Sequence, residues 1–145
     1  MSSERKVDPF AALILVFSII GLILMLAFDF AAMDIGGGNW RYSCLLGCEY
    51  FSTGDLIAQI VVLILLIIQI IIVLNELLPN KFLDKDLDKI GMILAVLTIV
   101  FVVIGLGSFG ITYSENEWWP ETGFYGGIIA GLINAVLFFL KDRNK

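Results

Sequence analysis

The chain has two cysteines, Cys44 and Cys48, and no histidine. Two thiols with three residues between them allow two kinds of chemistry. On the oxidising side of a membrane they can close a disulfide, and as a redox pair they can hand electrons to a quinone, with Arg41 near the headgroups. Thiol oxidases of the second kind rest on Cys-x-x-Cys and a second outer cysteine pair, and this sequence has neither. Without histidine, haem, catalytic zinc and imidazole proton relays lose their usual ligands or bases. Asp84, Asp86 and Asp88 have the spacing that opens an EF-hand loop, but Lys89 stands where glycine is needed and Ala95 where the closing glutamate belongs, so calcium is not expected. No cofactor, no metal and no small-molecule substrate is expected, and the chain is not expected to be an enzyme. Net charge −5 without a polybasic run gives no basis for binding nucleic acid.

The elements that hold these residues follow from composition. Hydrophobic residues make up 59% of the 145 and charged residues 16%, against roughly 45–50% and about 25% in soluble domains. Mean hydropathy is +0.96. A soluble chain this small cannot hide so much apolar surface, so the solvent is the bilayer. A hydrocarbon core about 30 Å thick needs roughly 20 apolar residues in a helix. Four helices are predicted, over about 9–28, 55–78, 88–111 and 123–141. They form a single four-span domain 1–145 with outer loops 29–54 and 112–122 and an inner loop 79–87. Asp8 with Pro9 reads as an N-cap and first-turn proline; Ser52, Thr53 and Asp55 start the second helix, and Pro79 ends it. The first apolar run exceeds that of a secretory signal, so it is read as a retained span.

Eight of the nine basic residues lie in the N-terminus, the 79–89 region and the tail; only Arg41 is opposite. Both termini are therefore expected in the cytoplasm, in a multi-pass protein of the cell membrane. The outer loops then carry seven acids and one base. This acidity either keeps the loops solvated or attracts cations or a basic partner.

No ionisable side chain lies mid-span, which weighs against a proton relay. Ser18, Gln59, Gln69, Thr98, Ser108 and Asn134 are expected to bond neighbouring helices. Gly127, Gly131 and Asn134 share one face of the fourth helix, with Ala130 beside them, and Gly105 belongs to a small-residue cluster in the third. Such faces let a second backbone approach, either within one bundle or between protomers.

In loop 29–54, aromatic residues interleaved with glycines predict a small hairpin or sheet. Both cysteines lie there, and an intramolecular disulfide around Leu45-Leu46-Gly47 is the first inference, with two free thiols the alternative. The fold class is thus an all-α antiparallel four-helix membrane bundle with a small extracellular β-hairpin or sheet between helices 1 and 2.

Four spans, cytoplasmic termini and Gly38-Asn39-Trp40-Arg41-Tyr42-Ser43-Cys44 followed by Cys48 resemble the claudin and peripheral myelin protein 22 superfamily, as do Gly123-Phe124-Tyr125-Gly126 and the basic tail from Lys141. The family signature has leucine at the position of Asn39, two residues between tryptophan and the first cysteine, and a wider cysteine spacing. Its first outer loop is also about twice as long. The resemblance implies that Trp40, with Arg41 beside it, anchors the outer loop to the bundle top and that Cys44 and Cys48 staple it. The other reading of Trp40 is an aromatic belt at the headgroups, which is also the reading adopted for Trp118 and Trp119.

The leading functional expectation is a non-catalytic membrane protein that self-associates laterally and uses its outer loops in cell adhesion, barrier formation or membrane organisation. Its partners would be membrane lipid and itself, as a homo-oligomer, or another membrane protein. The alternatives are an accessory or regulatory subunit of a larger membrane enzyme or channel complex and, more weakly, a thiol–quinone oxidoreductase.

Overall fold

A computed structural model describes residues 7–46, 53–83 and 85–144. Gly47, Cys48, Ser52 and Asp84, and the basic residues Arg5, Lys6 and Lys145 counted above, lie outside the described residues. Four helices, α1 (Pro9–Ala27), α2 (Thr53–Leu77), α3 (Asp88–Thr112) and α4 (Thr122–Arg143), are each long and apolar enough to cross a membrane. They pack in a ring, α1 against α2, α2 against α3, α3 against α4 and α4 against α1.

The residues of the inner seam are spaced alternately by three and four. In α1 they are Ala11, Ile14, Ser18, Gly21 and Met25, and in α3 they run Gly91, Ala95, Thr98, Val102, Gly105 and Phe109. That 3.5-residue period keeps one stripe of each of these two helices facing its neighbours. The opposite faces carry Ile64, Ile67 and Ile71 or Ile93, Val100 and Val103, all exposed. Lipid tails are as apolar as these side chains, so burying one against another gains little, and close packing plus hydrogen bonding must hold the helices together.

Two local devices begin and end the elements. Asp8 caps α1, accepting from the Phe10 N–H at 2.9 Å. Asn75 organises the link after α2: its side-chain oxygen accepts the Phe82 and Leu83 N–H groups, each at 2.9 Å, and its amide donates to the Leu83 carbonyl at 3.0 Å.

At the end opposite the termini sits a three-stranded antiparallel sheet of β1 (Ala31–Asp34), β2 (Trp40–Ser43) and β3 (Glu117–Pro120), with β1 central. The hairpin between β1 and β2 turns through Gly36, Gly37 and Gly38, all at positive φ, a region costly for any residue with a Cβ. Loop 112–122, read from the sequence only as an outer loop, supplies the third strand. A four-residue strand containing Trp-Trp-Pro is too short to show an alternation, and its pairing is decided by the free edge of β1.

Candidate functional site

The sheet has two unlike faces. The register pairs Ala31 with Ser43 and Pro120, and Met33 with Arg41 and Trp118, so these six residues share the face toward the bundle. Ala31, Met33 and Ser43 are buried there, Ala31 and Met33 in one cluster with Phe30, Val62, Val102 and Phe109. A Cβ on Gly110 would overlap the Trp118 ring, so the glycine makes room for that indole. Trp40, Ala32, Asp34, Tyr42, Glu117 and Trp119 form the opposite face. Trp40, which the claudin likeness would make the anchor, is 57% exposed and meets Trp119 edge to face at 5.8 Å. Trp119 also donates its indole N–H to Glu121 at 2.7 Å. The ring pressed onto the helices is Trp118. Arg41 belongs to the bundle-side face and is half-buried.

Three polar layers tie the elements together. The first joins the sheet to α2: Ser43 donates its hydroxyl to the buried Asp55, and Gln59 donates to Asp55 at 3.2 Å and to the Ser43 oxygen at 3.1 Å. Asp55 lies in the first turn of α2, where the helix dipole favours a negative charge. The neighbouring Tyr113 hydroxyl is held above its ordinary pKa, by burial first and then by the Asp55 charge.

The second layer lies midway and draws one residue from each helix. Asn134 donates to Ser18 at 2.8 Å and to Gln69 at 2.9 Å; Gln69 donates to Thr98 at 2.9 Å and to the Leu65 carbonyl at 3.2 Å. Thr98 donates its own hydroxyl to the Leu94 carbonyl at 2.8 Å. The residues are fully buried.

The third layer closes the end that carries the termini, again with one residue per helix. Lys141 of α4, 7% exposed, reaches Asp88 of α3 at 2.9 Å, the α1 cap Asp8 at 3.4 Å, and Glu76 of α2. Asp8 and Asp88 stand at helix N-termini and Lys141 near a C-terminus, each the sign the dipole favours. Only Glu76, near the C-terminus of α2, opposes it.

The small-residue positions lie between these layers. A Cβ on Gly127 would come to 2.9 Å from Val102, one on Gly131 to 2.8 Å from Ile99, and one on Gly105 to 2.9 Å from Ala58. All three are therefore helix contacts inside the bundle. Beside them, a sideways-open apolar groove of about 240 Å³ runs between α1 and α4, lined by Gly21, Leu24, Tyr125, Gly126, Ile129 and Ala130.

Cys44 is buried just beyond β2, while Cys48 lies outside the described residues. Among the described residues no three His, Cys, Asp or Glu side chains are grouped to hold a metal ion. Near the sheet, Asp29 has its carboxyl held above the ordinary range, by burial first and by the charge of Glu121 second.

Sequence reasoning named the midplane residues singly and did not foresee the Lys141 cluster. The signal was available in the spacing: Asn134 and Lys141 lie seven residues apart, as do Gln69 and Glu76, so each pair shares a seam. Comparisons with protein families, with curated proteins and with solved structures find no match for this chain.

Proposed function

We propose that this four-span membrane protein acts by contact, not catalysis. Its termini face the cytoplasm, its sheet faces outward, and it associates laterally with itself in a claudin-like role in adhesion, barrier formation or membrane organisation. The observation that carries this reading is the use made of buried polar groups. Ser18, Gln69, Thr98 and Asn134, and likewise Asp8, Glu76, Asp88 and Lys141, bond one helix to another. Groups spent on cross-links between helices serve a scaffold, and the scaffold presents a sheet with an exposed aromatic ring. The α1/α4 groove offers a protruding side chain of a neighbouring helix a place to seat. The Cys44–Cys48 bridge belongs to the same proposal, as the staple of the segment following β2.

Energy transfer between donor- and acceptor-labelled copies in liposomes tests it. Transfer should persist on dilution with lipid and fall when Ile129→Trp fills the groove rim. Transfer that vanishes on dilution, or isolation from native membranes in fixed stoichiometry with a larger enzyme or channel, would instead support an accessory subunit.

A further inference from the structure

The sheet face turned away from the bundle gathers acids beside an exposed aromatic ring, and one of them, Asp34, also accepts the Gly36 N–H of the hairpin turn at 2.8 Å. The register of this face forms two rows: Trp40, Asp34 and Glu117 in one, Tyr42, Ala32 and Trp119 in the next. Asp34 therefore sits directly opposite Glu117 on the adjacent strand. Like charges at directly paired positions destabilise a sheet, and of the strand residues on this face none is basic. Arg41 falls on the other face. Glu121, bonded to the Trp119 indole, adds a third carboxylate at the margin, and its charge already disfavours ionisation of Asp29 nearby. Negative charge is thus concentrated beside an exposed indole, while the small Ala32 between Tyr42 and Trp119 is completely buried.

We propose that this face, with Trp40 and the Asp34/Glu117 pair at its centre, docks a basic segment of a partner protein. One arginine or lysine of that segment would stack on the Trp40 ring and bridge the two carboxylates. An indole face attracts a cation through its quadrupole, and a cation between Asp34 and Glu117 converts their repulsion into two attractions. The same charges argue against a second copy meeting this one sheet to sheet, because six acids of like sign would be brought together. The proposal rests on the contact reading above and gives that contact a partner of defined chemistry.

The test uses the full chain in neutral maltoside micelles with a labelled oligo-arginine peptide as probe, followed by fluorescence anisotropy at low and high salt. Saturable binding that weakens with salt is expected. Asp34→Asn with Glu117→Gln should weaken it about tenfold or more, and Trp40→Ala several-fold, with Trp40→Phe restoring most of the loss. Glu115→Gln, which alters an exposed acid outside the strands, should leave the affinity unchanged. Absence of binding, an equal loss in Glu115→Gln, or indifference to Trp40→Ala would overturn the proposal. So would displacement of the peptide by phosphocholine, which would mark a lipid headgroup as the occupant. Lateral energy transfer in liposomes reports separately on self-association, so either idea can fail while the other stands.

Discussion

The two ends of the bundle handle charge in opposite ways. At the end with the termini, three acids and one lysine from four different helices turn inward and answer one another. At the sheet end Asp55 is turned in and held by Ser43 and Gln59, while Asp34, Glu117 and Trp40 are on the face away from the bundle. One end closes its charges on one another, and the other leaves some of them outside the packing. In lipid this division has a physical basis: helix association lacks a strong hydrophobic drive, so polar groups hold the bundle at defined heights.

Lys141→Ala would strain the contrast most. It takes the lysine charge away from three acids, and removing one partner of a buried pair costs about 3–5 kcal/mol. Unfolding in micelles should show a loss of that size, and adding Asp88→Asn with Glu76→Gln should recover part of it. A loss below about 1 kcal/mol would mean that the cluster is hydrated and no clasp. At the other end, Ser43→Ala removes the hydroxyl that satisfies Asp55 but leaves Gln59 in place. A loss of about 1–2 kcal/mol is expected, confined to the sheet, which tryptophan fluorescence would see before helix content falls. The smallest effect belongs to Asp29. Its folded pKa lies above the ordinary 3.8, so its contribution to stability is full below that value and is lost as pH rises through the raised one. Asp29→Asn should flatten this acid-side dependence of the melting temperature; an unchanged slope would place the source elsewhere.

Much of the fold was legible because lipid imposes a length and a polarity that composition reveals directly. The four spans and the sheet between helices 1 and 2 follow from apolar runs and from glycines among aromatics. The seam was harder to read. In a soluble bundle the buried stripe is the apolar one, whereas here the exposed stripe of Ile64, Ile67 and Ile71 is as apolar as any buried position. What marks the inside is smallness and polarity: Ser18 and Gly21 in α1, Gly91 and Thr98 in α3, Gly131 and Asn134 in α4. Gly91 is the clearest case, since any Cβ there would overlap the Phe138 ring. The third strand stayed hidden for a different reason. Its four residues gain their conformation from pairing with β1, a partner more than eighty residues earlier, and nothing local announces it.

Lys141 reaches its three acids from the last of the four spans, and this gives the molecule an order of assembly. In chain order Asp8, Glu76 and Asp88 all precede the lysine that joins them, so the clasp closes only once the fourth helix is in place. The same helix sets Asn134 level with Ser18 and Gln69.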